Sequence, residues 1–370
     1  MTYLCRIKSI SILRINKLSL HNFKNHDHLQ LDLSAQINCF VGNNGVGKTN
    51  ILDALYYLSV GKSFLGNSDF NNVKNDCDFF SIEAEVQNEE KEDILKIILS
   101  KESKKVIKKN DKSYDRLADH VGYLPSVIIS PYDQNLISDS GESRRKFLDA
   151  MISQTDSDYL FALIQYQKTL QQRNALLKSF AKNRYFDKDS LEIYDEPLIK
   201  HGEKIFAKRK NFVELLNPVM QNFYQSISGG KEEVYITYQS DLEQDYSDLL
   251  TQSLEKDRVL TYTSKGIHKD DLLFEMMHYP IKKVGSQGQQ KTFLVALKLA
   301  QMIRIKELTG KTPILLLDDI FDKLDDKRVT QLIDLVNQEN FGQIFITDTH
   351  KERTESILKD IKEPINIYEI

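Results

Sequence analysis

Apolar and polar residues alternate in Leu29-Gln30-Leu31-Asp32-Leu33, which predicts a strand with one buried face. Ile37-Asn38-Cys39-Phe40-Val41 reads as a strand buried on both faces, and the stretch from Ile12 to Val41 reads as strands throughout. The first eleven residues precede this pattern and read as an extension. From Lys48 to Leu58 the period changes. Ile51, Leu52, Leu55 and Leu58 share one helical face, and Gly61 is placed to end the helix. Ser81 to Val86 and Ile94 to Leu99 alternate as sheet strands do. Lys104 to Lys112 resembles a hairpin turning at Asn110-Asp111, and Val127 to Ile129 is a further strand closed by Pro131.

The character then shifts. Ser143 to about Phe223 is polar, nearly free of Gly and helical in period. Leu198, Ile205, Phe212 and Val219 recur every seven residues, a heptad spacing. Pro197 suits a helix start, and Pro218 should kink or end that helix. Two long helices packed antiparallel as an arm account for the pattern; an ordinary helical subdomain fits it equally well. Gly229-Gly230 ends the stretch. Val234 to Tyr238 reads as a strand, Asp241 to Lys256 as a helix, and strand patterning returns near Leu272. Gln289 to Leu308 is a long amphipathic helix. Ile314 to Leu317 and Ile344 to Thr347 read as buried parallel strands with a helix between them. The expected division is an α/β head from residues 1–131 and 262–370, interrupted by a helical arm over 132–261.

Composition narrows the class. The 370 residues are 41% hydrophobic and 28% charged, enough apolar material for a large core, which excludes disordered and collagen-like chains. No apolar run approaches the roughly 20 residues of a membrane helix, and Met1 to Ile10 lacks the apolar core of a signal peptide. Cys5, Cys39 and Cys77 form no C-x-x-C pair, which argues against a disulfide framework and a zinc site and fits the cytoplasm. Net charge is -4, so any nucleic acid must meet a local basic face.

Gly42-Asn43-Asn44-Gly45-Val46-Gly47-Lys48-Thr49 matches G-x-x-x-x-G-K-[ST] between a predicted strand and a predicted helix. Gly42, Gly45 and Gly47 let the backbone wrap close to phosphate oxygens with N–H groups pointing inward, and the helix adds its positive end. Lys48 is expected to reach the β- and γ-phosphates of ATP, and Thr49 to ligate Mg²⁺. Far downstream, Ile314-Leu315-Leu316-Leu317-Asp318-Asp319 is a hydrophobic strand ending in two acids, a Walker B form. Asp318 is expected to hold Mg²⁺ through water and Asp319 to orient the attacking water. Alone, that segment is equally a buried strand with an acidic turn.

Gly285-Ser286-Gln287-Gly288-Gln289-Gln290-Lys291 precedes the long helix. A Ser there presents a hydroxyl and free N–H groups to a phosphate, although a plain helix cap has the same appearance. The segment resembles the signature motif of ATP-binding-cassette (ABC) ATPases. That resemblance implies an α/β P-loop NTPase of ABC type with a short antiparallel coiled-coil arm. It also implies an ATP-dependent head-to-tail homodimer in which Ser286 touches the γ-phosphate held by a second copy's Lys48.

Further phrases sharpen the family. Leu18-Ser19-Leu20-His21-Asn22-Phe23-Lys24-Asn25, Thr49 to Ser59 running into Gly61-Lys62-Ser63-Phe64, and Ser143-Arg144-Arg145-Lys146-Phe147-Leu148-Asp149 are three of them. Gly266-Ile267-His268-Lys269-Asp270-Asp271-Leu272 and Ser286 to Thr292 complete the set. In this order they resemble the RecF family of bacterial recombination and replication-repair ATPases over nearly the whole chain from Ile12. Ile267 and Lys269 stand where that family usually has Pro and Arg. Phe321-Asp322-Lys323-Leu324-Asp325 departs from its serine-glutamate start. Thr347-Asp348-Thr349-His350 lacks a histidine directly after the first Thr, and Gln134 is the candidate for the γ-phosphate-sensing glutamine. The resemblance implies an ATP-gated clamp on duplex DNA and on single-strand/double-strand junctions, reopened by slow hydrolysis. It further implies action with RecR and RecO to place RecA at gaps, in support of the SOS response.

Lys101, Lys104, Lys105, Lys108, Lys109 and Lys112 crowd one predicted hairpin. Arg144, Arg145 and Lys146 sit at the arm base, and Lys208, Arg209 and Lys210 on an arm helix. These are candidate phosphate contacts, or simply solvated faces. His268, beside Asp270 and Asp271, reads as a structural hydrogen-bonding residue rather than a metal ligand. Competing functions are another ABC-type genome-maintenance or phage-defence ATPase, and a structural adaptor that binds ATP without turnover.

Overall fold

The structure, a computed structural model, describes residues 11–66, 68–88, 91–230, 232–320, 342–359 and 361–370. The Phe321–Asp325 loop and the helix expected between the two buried strands lie outside them. Of the expected N-terminal extension only Ser11 is described, and it opens the first strand.

Three strands come first: β1 (Ser11–Phe23), β2 (His26–Asp32) and β3 (Ile37–Val41), the last buried at all five positions. Helix α1 (Lys48–Val60) ends where Gly61 turns left-handed at φ 73° and donates its N–H to Tyr57 O. Strands β4 (Phe79–Asn88) and β5 (Lys91–Ser100) alternate buried and exposed residues. Asn110 and Asp111 join β6 (Val106–Lys109) to β7 (Lys112–Ser113), both at positive φ, the two-residue turn that suits strand twist. Strand β8 is Ser126–Ile129.

Helices α2 (Gly141–Ser153), α3 (Ser157–Asn183) and α4 (Lys188–Ser228) follow. Then come β9 (Val234–Gln239), α5 (Tyr246–Leu260), β10 (Asp271–Met276), β11 (Tyr279–Pro280) and α6 (Gln287–Thr309). Strands β12 (Lys311–Thr312), β13 (Ile314–Leu317) and β14 (Ile344–Asp348), helix α7 (Lys351–Leu358) and β15 (Ile365–Glu369) complete the chain.

Two of the expected helix limits are corrected. α4 begins at Lys188 and runs through both Pro197 and Pro218. Leu191, Leu198 and Ile205 are buried on either side of Pro197, so packing of the apolar face outweighs one missing hydrogen bond. The heptad also drifts: after Phe212 the buried positions are Val213, Leu216, Met220, Phe223, Tyr224 and Ile227, as expected when a 3.6-residue helix departs from a 3.5-residue repeat. α5 begins at Tyr246 rather than Asp241, because Asp245 caps it by accepting the Asp248 N–H.

β15, β3, β14, β13 and β8 form a five-stranded, wholly parallel sheet in that order. β12, β1, β4, β5, β6 and β7 form a second sheet, with β2 paired to β1. α1 fills one core with residues of both: Leu52, Leu55 and Leu58 lie with Phe40 and Phe345 and with Leu20, Ile82 and Ile97.

The chain divides into two compact units. Met1–Gln134, Asn222–Lys231 and Ser286–Ile370, in their described residues, make one; Asn135–Gln221 and Glu232–Gly285 make the other. Residues 262–285, expected with the head, belong to the second unit because β10 pairs in register with β9, Phe274 opposite Ile236. In that unit α3 and α4 run antiparallel. Asp156 meets Lys208, Phe161 meets His201, and Arg173 meets Asp195, rising numbers against falling ones.

Candidate nucleotide site

The loop Gly42 to Gly47 lies between β3 and α1, at the carboxyl edge of the parallel sheet, the edge at which open α/β sheets bind ligands. Gly42, Gly45 and Gly47 all sit at positive φ. Lys48 is buried, and its Nζ donates to Gly42 O (2.8 Å) and Asn43 O (2.9 Å), folding the loop around its own ammonium. Asn43, Asn44 and Gly45 are exposed, and Val46 half-buried.

Two residues that the sequence reading left in an opening strand hold this loop from outside. Asn25 Nδ2 donates to Val46 O (2.9 Å), and Asn50 Nδ2 donates to Asn25 Oδ1 (2.7 Å). His26 Nε2 lies 3.2 Å from Gly47 O, and burial lowers its pKa. The only sequence signal was position: Asn25 lies in the turn between β1 and β2, and His26 opens β2.

The Walker B acids sit at the end of β13. Thr49 Oγ1 donates to Asp318 Oδ1 at 2.8 Å, bringing together residues 269 positions apart. Thr347 Oγ1 donates to the same oxygen at 2.9 Å. Asp318 is 2% exposed, and burial pushes its carboxyl above the usual range against these two donors. The Asp319 N–H donates to Thr347 Oγ1 (2.9 Å), and Asp319 adopts φ 47°.

Ser286 is exposed at the start of α6. It accepts from the Gln289 N–H, and its own N–H donates to Gln289 Oε1 (2.8 Å), a complete capping box. The cap is therefore real, yet it leaves the serine hydroxyl proton free to donate outward. A cavity of about 560 Å³ lies beside Asp318, lined by Ser130, Pro131, Gln134, Gln287, Gln290 and Lys291 among others. Gln134 Nε2 donates to Gln290 Oε1 there (2.9 Å). The loop carrying Gln134 is fixed to α6 by Lys298, whose Nζ meets Asp133 Oδ1 at 2.6 Å and Ile128 O at 2.9 Å. Asp348 is engaged by Arg353, by Thr354 Oγ1 (2.9 Å) and by the Thr349 N–H (2.7 Å), whereas His350 is exposed.

The family model described as RecF/RecN/SMC N terminal domain matches residues 14–368. The DNA replication and repair protein RecF of Flavobacterium johnsoniae is 52% identical over 359 residues, 97% of this chain and 100% of that protein. The chain belongs to the RecF family. RecF of Phocaeicola vulgatus is 44% identical, over 96% of each chain. A solved structure described as the recombination mediator protein RecF-ATPrS in the RecFOR pathway superposes with a TM-score of 0.85. It is 34% identical and covers 93% of this chain and 94% of that one. The Smc head domain from Pyrococcus furiosus, 18% identical at a TM-score of 0.52 over 92% and 90% of the two chains, shares the ABC-type fold alone.

The RecF phrases also find their places. Arg144 makes a two-pronged bond to Asp271 (2.7 and 2.8 Å), and Arg145 donates to Asp270 O (2.6 Å). Arg209, 1% exposed, binds Asp149 and Asp270, each at 2.8 Å. Lys146, Lys208 and Lys210 pair with Glu142, Asp156 and Glu243. In the two candidate arm clusters Arg144, Lys146, Lys208 and Lys210 are thus paired with carboxylates of their own unit, Arg145 meets a backbone carbonyl, and a buried Arg209 cannot reach solvent. On the hairpin, Lys105 is held by Asp69 and Gly61 O and Lys109 by Asp93, while Lys101, Lys104 and Lys112 are exposed. His268 Nε2 donates to Thr263 O (2.9 Å) and its Nδ1 accepts from Tyr166 Oη (2.8 Å), and burial lowers its pKa to about 4.

Proposed function

We propose that this RecF-family chain binds ATP with Mg²⁺ and acts as an ATP-gated clamp on DNA. The observation that carries this is the Thr49–Asp318 bond beside Lys48. A phosphate-cradling loop and a buried carboxylate converge at one sheet edge from opposite ends of the sequence. Relatives described as RecF-ATP and RecF-ATPrS support the nucleotide.

The residues suit both groups. At Gly42 and Gly47 a Cβ would come within 2.6 Å of Ile370 O and of the Asn25 side chain, so only glycine lets the phosphate loop take this backbone course. Thr49 and Asp318 offer the oxygen donors that a hard cation takes. In this reading Lys48 gives up its loop carbonyls for the β- and γ-phosphates, Thr49 and Asp318 hold Mg²⁺, and Asp319 orients the attacking water. Mg²⁺, when bound, neutralises charge on the phosphates. Ser286 donates its free proton to the γ-phosphate carried by a second copy, so that ATP closes a homodimer around duplex or gapped DNA. Turnover is weak, and its role is to reopen the dimer. RecR, with RecO, is the partner through which RecA is placed at gaps, in the cytoplasm. Among the described residues no helix is long and apolar enough to cross a membrane.

The test is sedimentation with and without ATP in the presence of a gapped duplex. A dimer that carries DNA only with ATP is expected. Lys48→Ala should abolish both effects, and Asp319→Asn should lengthen the life of the DNA-bound dimer. DNA affinity independent of ATP across a range of salt would sink the clamp.

A further inference from the structure

In the sequence Thr347 is the end of a buried strand and the residue before a missing histidine. Its surroundings give it more to do. β14 is buried at all five positions, and Thr347 is wholly enclosed. A hydroxyl there costs free energy unless it is hydrogen-bonded, and a valine of the same shape would fill the space without that demand. The hydroxyl is used twice. Its proton goes to Asp318 Oδ1 (2.9 Å), and its lone pair takes the Asp319 N–H (2.9 Å).

These two bonds act on two different properties. The first fixes the rotation of the Asp318 carboxylate, with Thr49 donating to the same oxygen. The second holds the backbone of Asp319, a non-glycine residue at φ 47°, a conformation that side chains with a Cβ reach only at a cost. Register explains how. Leu317 lies opposite Ile346 in the parallel pair, so Asp318, just past the end of β13, comes level with Thr347 inside β14.

We infer that Thr347 is a positioning residue that sets both Walker B aspartates through one shared hydroxyl. It orients Asp318 toward Mg²⁺ and Asp319 toward water while touching neither. This rests on the nucleotide-site reading above. A hydrogen bond that orients a metal-holding side chain typically matters ten- to a hundredfold in affinity or activity.

The experiment compares wild type with Thr347→Val, Thr347→Ser and Thr347→Ala. Each is titrated with a fluorescent ATP analogue in EDTA and then against Mg²⁺, followed through a single turnover, and unfolded in urea. Valine should leave binding in EDTA unchanged, because the phosphate loop is intact. It should raise the Mg²⁺ concentration needed for tight binding about ten- to a hundredfold and slow the single turnover similarly. Serine should restore both. If the valine protein does not fold, the serine and alanine proteins, which differ only in the hydroxyl, decide the matter in the same way. A purely structural threonine would lower the urea midpoint and leave the Mg²⁺ dependence of the folded protein at its wild-type value; that result overturns the inference. Absence of Mg²⁺-dependent binding in wild type itself would overturn the nucleotide-site reading instead, and the two failures are told apart by the wild-type curve alone.

Discussion

At Gly47 a Cβ would stand 2.5 Å from Asn25 Nδ2 and 2.6 Å from His26 Nε2, on a backbone at φ +111°. Those side chains could swing away only by releasing Val46 O and Gly47 O. At Gly45 (φ +85°) nothing lies within 4 Å of the same added atom. Gly47→Ala should therefore weaken binding of a fluorescent ATP analogue well over tenfold. Gly45→Ala should cost only backbone strain, about 1–2 kcal/mol; equal losses in a binding titration would refute the clamp formed by Asn25 and His26. His268 gives a second test at this scale. Neutral when folded with a pKa near 4, it takes up a proton only on unfolding below its ordinary value of 6.5. Stability should thus be full above pH 6.5 and fall as pH drops toward 4, by up to about 3 kcal/mol. Lys269 and Arg145 push the same way and Asp257 opposes them. His268→Gln should flatten that part of a urea-midpoint profile against pH. The phosphate loop was readable in sequence because its eight residues are contiguous. Asn25, His26 and Thr347 were not, because each acts on a residue far away in sequence, and nothing local about an Asn or a buried Thr says which.

Several element limits were legible where a local device sets them, although the Asp245 cap that opens α5 was missed. Gly61 ends α1 by its left-handed turn, Asn110-Asp111 closes the hairpin, and Ser286 with Gln289 opens α6. They failed where packing overrides the local signal, as in α4, which crosses two prolines. The charge clusters failed for a related reason. Sequence shows that Lys208, Arg209 and Lys210 are adjacent, but helical geometry sends the middle one inward, onto Asp149 and Asp270. Arg209→Met should leave the buried Asp270 and the half-buried Asp149 without their cation and destabilise the protein by roughly 3–5 kcal/mol in urea unfolding. The DNA affinity of the folded protein should not change. A DNA-contacting arginine would give the reverse, with affinity lost and stability kept.

For the whole molecule the sequence order of P-loop, helical insertion, signature and Walker B was enough to assign the fold, and the P-loop and Walker B do meet at one sheet edge from distant parts of the chain. Where DNA runs was not readable, because a net charge of -4 hides any basic face, and adjacency in sequence says nothing about which cations are already spent. The structure removes most candidates. With most of the arm cations engaged within their own unit, and Lys105 and Lys109 held by Asp69 and Asp93, the exposed lysines among the hairpin candidates are Lys101, Lys104 and Lys112. Three lysines that contact phosphate displace counterions, and each contact removed lowers the slope of log affinity against log salt by about one. Replacing all three with glutamine should weaken ATP-dependent DNA binding more at low salt than at high salt and reduce that slope by about three. ATP binding and the urea midpoint should stay as they are, because none of the three side chains supports the core or the phosphate loop. An unchanged slope would place the DNA on another face, and a loss of ATP binding would mean that the hairpin serves the nucleotide site.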